Sequence, residues 1–172
     1  MTSNRPTIST FGCRLNIWES ELIRQQATQA SLNNTVIFNT CAVTSEAEKQ
    51  ARQAIRKAKR EQPEKQIIVT GCAAQINPEK WLEMAEVDHV IGNHEKLLQD
   101  SWQRLKTNQL PDLEVRDIAE ITETAAHMID SFEEHTRGFL QIQQGCNHRC
   151  SFCIIPYGRG PSRSVAAGQV VE

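Results

Sequence analysis

An α/β fold, with a parallel sheet flanked by helices, is the architecture that three features of this 172-residue sequence predict. Short runs rich in Ile, Val, Thr and Phe alternate with longer helical patterns over about the first hundred residues. Capping residues stand where those helical patterns open. The strand candidates are separated by whole helices rather than tight turns, which implies βαβ units with helices on both faces of the sheet.

Thr7 to Phe11, Thr35 to Asn39, Gln66 to Thr70 and Val87 to Ile91 read as strands, because β-branched and aromatic side chains suit a pleated, buried surface. Asn16, with Glu19 three residues on, reads as the cap of a first helix carrying Trp18, Leu22 and Ile23. Ser45 and Glu48 form a capping-box pattern, and Ala47, Ala51, Ala54, Ile55 and Ala58 follow on one helical face. Asn77-Pro78 opens a third helix with Trp81, Leu82 and Ala85, and Asn93 caps a fourth that runs to about Leu105.

Composition narrows the function classes. Nineteen basic residues against 21 acidic ones leave a net charge of −2, which argues against nucleic-acid binding by bulk electrostatics alone. Hydrophobic residues at 39% and charged ones at 23% fit a globular protein with a core. No apolar run approaches the ~18 residues of a membrane span, and the first ten residues carry no secretory pattern. A cytoplasmic, reducing compartment is the expectation, and six cysteines there point to metal ligands or reactive thiols rather than disulfides.

The chain divides into three stretches. Residues 1–107 form the α/β domain. Residues 108–134 carry eight acids and one base, Arg116, and read as an acidic connector with one edge strand around Leu113 to Ile118. Residues 135–172 reverse the sign: between Arg137 and Arg163 stand four arginines and no acid. There Leu140 and Ile142 alternate with Gln141 and Gln143 as an amphipathic strand running into Gly145-Cys146. Ser164 caps a last helix through Val165 to Val171, inside which the sequence stops.

Cys13, Cys41 and Cys72 each follow a strand candidate and precede a helix. Parallel strands all end at one edge, where such folds build their sites, so three thiols distant in sequence should converge there. Gly12 and Gly71 allow close approach of the backbone to a bulky ligand, and the helix N-termini that follow favour an anion. Three thiolates without an evident fourth ligand suit an iron–sulfur cluster with one open iron better than a closed zinc site. Zinc stays open if a histidine such as His94 completes the set. Taken singly, each cysteine also fits the role of a small buried hydrophobe.

Cys146, Cys150 and Cys153 lie within eight residues, directly after a strand candidate. Such a loop can wrap one face of a cluster and leave an iron free to chelate S-adenosylmethionine, with Phe152 a candidate to pack against the adenine. Zinc knuckles share this bare spacing.

With its surroundings, Cys146-Asn-His-Arg-Cys150-Ser-Phe-Cys153-Ile-Ile-Pro-Tyr-Gly-Arg-Gly resembles the radical SAM signature of the tRNA methylthiotransferases. Thr10-Phe-Gly-Cys-Arg-Leu-Asn16, Asn39-Thr-Cys-Ala-Val-Thr44 and Val69-Thr-Gly-Cys72 resemble the three cysteine motifs of the same family's N-terminal domain. The likeness covers essentially the whole chain. It is greatest to the branch acting on threonylcarbamoyladenosine, less to the isopentenyladenosine and ribosomal-protein branches.

The resemblance implies an enzyme, a transferase of sulfur-containing groups, with two [4Fe–4S] clusters and S-adenosyl-L-methionine. Cys146, Cys150 and Cys153 would hold the SAM-cleaving cluster, and Cys13, Cys41 and Cys72 an auxiliary cluster carrying the sulfur. The partner is tRNA, whose N6-threonylcarbamoyladenosine beside the anticodon acquires a methylthio group at C2. No residue of the chain itself is assigned as a catalytic acid or base. A whole barrel needs most of ~200 residues, so the chain should hold only the first strand and cluster loop of a truncated radical SAM barrel and be inactive alone. The alternatives are the isopentenyladenosine substrate, or a non-catalytic metal-binding module that holds RNA or a partner.

Lys49, Arg52, Arg56, Lys59 and Arg60 line one helical stripe. It reads equally as a tRNA phosphate contact or as a solvated face. Arg149, Arg159 and Arg163 are stronger candidates for RNA contact. Trp18, Trp81 and Trp102 are expected in the core, and His89, His127 and His135 in structural or surface roles.

Overall fold

The computed structural model describes residues 5–122 and 138–171. Five strands, β1 (Thr7–Thr10), β2 (Thr35–Thr40), β3 (Gln66–Gly71), β4 (His89–Ile91) and β5 (Leu113–Glu114), lie side by side in chain order, each pair of neighbours parallel. Helices α1 (Arg14–Gln29), α2 (Ser45–Glu61), α3 (Cys72–Ile76), α4 (Pro78–Leu82) and α5 (Gln99–Lys106) connect or flank them. The parallel sheet expected from the sequence is therefore present.

Pleating decides which helix covers which face. Val36 and Phe38 of β2 and Ile67 and Val69 of β3 pack with Ala51 and Ile55 of α2, Ala73 and Ala74 of α3 and Trp81 of α4. The intervening residues Ile37 and Ile68, with Ile91 of β4, meet Ile23 and Ala27 of α1 and Trp102 and Leu105 of α5. Both faces are covered, which is why β2 is buried along its whole length and reads as an apolar run rather than an alternation. Trp18, Trp81 and Trp102 are all core residues, as expected.

Several helix starts differ from the sequence expectation. The N-cap of α1 is Cys13, three residues earlier than Asn16, because Asn16 spends its amide on the backbone: Nδ2 donates to the carbonyls of Phe11 and Thr40. Thr44, not Ser45, caps α2, its hydroxyl accepting from the Ala47 amide at 3.2 Å. The third helix is two short ones, α3 and α4, meeting at Asn77-Pro78. Asn93 caps nothing; a 3₁₀ turn at Glu95–Leu97 intervenes before α5.

After β5 the chain makes a 3₁₀ turn at Ile118–Glu120. The amphipathic strand anticipated at Leu140 is confined to β6 (Gln143–Gln144), which pairs antiparallel with β7 (Arg163–Ser164). Leu140 and Ile142 are outside that ladder and remain exposed. Between β6 and β7 stand the second cysteine loop and helix α6 (Ile155–Arg159), and α7 (Ala167–Val171) follows. Ser164 lies in β7, so it does not cap that helix. His127, His135 and residues 123–134 of the acidic connector lie outside the described residues. Among the described residues, no helix is long and apolar enough to cross a membrane.

Candidate metal centre

The sheet register sets the first three cysteines side by side. Thr40 of β2 pairs with Gly71 of β3, so Cys41 and Cys72 leave adjacent strands at the same level, about 4.8 Å apart in the sheet direction. Thr10 of β1 pairs with Asn39, which brings Gly12-Cys13 around the same rim. Gly12 has φ +100, and a methyl group on it would stand 2.5 Å from Cys41 Cβ and Sγ. Only glycine lets the first motif approach the second this closely. Cys13 is exposed, Cys41 buried and Cys72 half-buried, so the thiols form a rim facing outward from a closed floor.

The floor is polar and interlocked by hydrogen bonds. Asn39 Nδ2 donates to the Asn16 carbonyl and to Ser20 Oγ, while its Oδ1 accepts from Lys96 Nζ at 3.2 Å. Lys96 Nζ also donates to Glu19 Oε2 at 2.7 Å, both side chains being wholly buried. Arg159, from α6, reaches the same carboxylate with its two terminal nitrogens and touches Asn16 Oδ1. Its Nε–H donates to Cys72 Sγ at 3.0 Å. Asn93 Nδ2 lies 3.7 Å from the same sulfur and donates to the Gly158 carbonyl.

Charge in this floor is unbalanced toward the sulfurs. Burial alone would raise the Glu19 pKa, yet Arg159 and Lys96 hold it below the ordinary carboxylate range. Burial works against the charged form of Arg159, but Glu19 and the Cys72 sulfur outweigh it and raise its pKa. Burial lowers the Lys96 pKa against the pull of Glu19. Two basic groups thus face one carboxylate beside three sulfur atoms. Burial, and then the Cys72 and Cys13 thiols, push the Cys41 thiol up, a balance that a bound cation would reverse.

The chemistry of the donor set fits an anionic, thiolate-ligated cluster: three soft sulfur ligands lie along one edge of the sheet, and a buried guanidinium beneath them can compensate negative charge. Among the described residues, no group of three or more His, Cys, Asp or Glu side chains is placed to hold a single metal ion, and that includes His94.

The second triad sits in the β6–β7 loop. Cys146 N–H donates to the Gly160 carbonyl and Cys153 N–H to that of Cys150, which coils the loop. Cys150 is exposed, Cys146 and Cys153 half-buried, and Phe152 projects with 90% of its surface accessible. Helix α6, which follows the second triad, packs against the first: a Cβ on Gly158 would stand 3.1 Å from Cys72 Cβ.

The arginines do not divide as the sequence suggested. Arg149 is exposed, whereas the side chains of Arg159 and Arg163, expected as RNA contacts, are buried. Arg163 donates instead to the carbonyls of Ile121 and Arg159. In the α2 stripe, Arg52 stacks over Trp81 at 4.3 Å, Arg56 approaches Glu86 at 4.0 Å, and Lys59 pairs with Asp88 at 3.3 Å. Those three side chains thus have partners within the chain. Sequence reasoning missed the floor itself, Glu19, Asn39, Asn93, Lys96 and Arg159. Its one signal was polar residues standing inside the motifs and apolar runs.

Comparison with known proteins identifies relatives of the chain. Residues 5–92 match the model of the uncharacterized protein family UPF0004. The chain is 56% identical over 167 residues to the threonylcarbamoyladenosine tRNA methylthiotransferase MtaB of Rickettsia prowazekii (strain Madrid E), covering 97% of this chain and 39% of that protein. It is 34% identical to the protein of the same name from Aquifex aeolicus (strain VF5), covering 95% of this chain and 42% of that one. It is 29% identical to the tRNA-2-methylthio-N(6)-dimethylallyladenosine synthase of Sorangium cellulosum (strain So ce56), covering 97% and 37%. The chain spans about two fifths of the length of these curated relatives. With half the chain matched and the three-cysteine rim in place, this protein belongs to the UPF0004 family, the N-terminal domain of the methylthiotransferases.

Proposed function

We propose that this chain is the cluster-holding part of a radical SAM enzyme that adds a methylthio group to C2 of N6-threonylcarbamoyladenosine beside the anticodon of tRNA. The single observation that carries the reading is the rim of Cys13, Cys41 and Cys72 above a buried, cation-rich floor. In this reading those three cysteines hold an auxiliary [4Fe–4S] cluster, and Cys146, Cys150 and Cys153 hold the cluster that binds S-adenosylmethionine. When bound, the groups supply the one-electron chemistry and the sulfur that an unactivated aromatic C–H demands.

The residues of the chain do the rest. Asn16 and Asn39 tie the first two motifs together from below, so that the three thiols keep a fixed spacing. Glu19 and Lys96 exclude water from the floor by filling it with a satisfied ion pair. Phe152, exposed beside Cys153, is the aromatic surface offered to the adenine of the cofactor. The threonylcarbamoyl substrate is favoured over the isopentenyl one by the greater identity to relatives named for it, and tRNA as substrate places the work in the cytoplasm.

Nucleoside analysis of tRNA from a strain lacking the gene tests this. The 2-methylthio derivative of threonylcarbamoyladenosine should vanish while its unthiolated precursor accumulates. Loss of the isopentenyl derivative instead would move the substrate to the other branch. Retention of both would overturn the reading.

A further inference from the structure

The side chain of Arg159 spans the two cysteine segments. It is carried by α6, six residues after Cys153, yet it is 4% exposed and buried beneath the rim of the other triad. All three guanidinium nitrogens are engaged there: Nε on Cys72 Sγ, NH1 on Glu19, NH2 on Glu19 and Asn16. The carboxylate it meets is already paired to Lys96, so the arginine is not needed to neutralise Glu19. An added cation buried beside a sulfur is costly unless it faces negative charge. The planar fork offers both a carboxylate-facing edge and a sulfur-facing N–H, a geometry that lysine lacks.

We propose that Arg159 is a positioning residue of the first triad: it fixes the Cys72 sulfur from below and, anchored on Glu19 and Asn16, docks the second cysteine segment against the first. Asn93 reinforces the joint by donating to the Gly158 carbonyl, and Phe139 adds apolar contact with Trp18, Leu22 and Leu97. The sulfur-directed half rests on the two-cluster reading above; the docking half does not. A guanidinium N–H on a ligand sulfur stabilises the more negative, reduced cluster, so Arg159 raises the reduction potential of the group held at Cys72.

The test uses the 172-residue chain with Arg159→Met and Arg159→Lys. Hydrogen exchange of the metal-free protein reads the docking. In Arg159→Met, the amides of Tyr157, Gly158 and Gly160 should exchange about tenfold faster or more, with those of β2 and β3 unchanged as the control for folding. Arg159→Lys, which still pairs with Glu19, should retain most of the protection. The potential is read after anaerobic reconstitution with iron and sulfide, in a background with Cys146, Cys150 and Cys153 all changed to alanine. There Arg159→Lys should make the midpoint more negative. Unchanged exchange in Arg159→Met overturns the docking, and an unchanged midpoint in Arg159→Lys overturns the sulfur role. Absence of iron at the first triad of the unmutated chain would overturn the two-cluster reading and the sulfur role with it, while exchange still decides the docking.

Discussion

Two carboxylates in the core are held in opposite senses, and each gives a pH-dependent expectation. Glu19 is shifted below the ordinary carboxylate range, so its contribution is present above that range and is lost as pH falls through the lowered folded value. Glu19→Gln leaves Lys96 and Arg159 facing no anion and should cost about 3–5 kcal/mol at pH 7, read by chemical denaturation. Glu95 is shifted upward by burial; its side chain is 1% exposed, and neither carboxylate oxygen has a hydrogen-bond partner among the described residues, although Arg116 Nε stands 3.5 Å away. Its contribution is therefore present at low pH and lost as pH rises through the raised folded value. Glu95→Gln should raise the melting temperature at pH 7, with the gain shrinking toward pH 4; an equal change at both pH values would contradict the assignment. Gly12→Ala meets Cys41 at 2.5 Å in a positive-φ conformation and should destabilise the chain by about 1–3 kcal/mol, with loss of iron from the first triad after reconstitution. The cysteines themselves were legible in the sequence because each follows a strand and precedes a helix. Arg159 was not, since an arginine in an acid-free tract reads as a contact for RNA. Its partner Glu19 is 140 positions away, a distance over which no local pattern reports.

At the scale of elements, strands were easier to read than helix starts for a physical reason. A strand buried on both faces carries a continuous apolar run, as Val36, Ile37 and Phe38 of β2 and Ile67, Ile68 and Val69 of β3 do. A helix start is a contest between polar side chains for the same orphan amides. Asn16 carries a capping residue's chemistry but is drawn into the floor by two backbone carbonyls, so Cys13 takes its place at the N-cap. Thr44 wins over Ser45 because its extended backbone, φ −133 and ψ 143, aims the hydroxyl at the Ala47 amide. Thr44→Ala should therefore cost about 1 kcal/mol while Ser45→Ala stays near neutral, measured by thermal or denaturant unfolding; the reverse order would restore the capping box read from the sequence. The alternation at Leu140 to Gln143 promised a strand, but pairing is confined to where β7 supplies a partner, at Gln143 and Gln144 and in the Val165 N–H donated to the Ile142 carbonyl. An amphipathic pattern declares which side chains want burial, not whether a neighbouring strand is there to meet them.

Across the whole molecule, the parallel sheet gathers three motifs spread over sixty residues of chain onto one edge, and the β6–β7 segment closes against that edge through α6. The cation excess in the floor is the property that unites these parts, for it gives the three thiols a reason to be there: a structural cysteine at a strand end needs no guanidinium beneath it. The most direct test of this account is the iron content of the anaerobically reconstituted chain beside a variant with Cys13, Cys41 and Cys72 all changed to alanine. Two [4Fe–4S] clusters predict about eight irons in the first and about four in the second. Stoichiometric zinc without visible absorption, or an iron content that the three substitutions leave untouched, would contradict it.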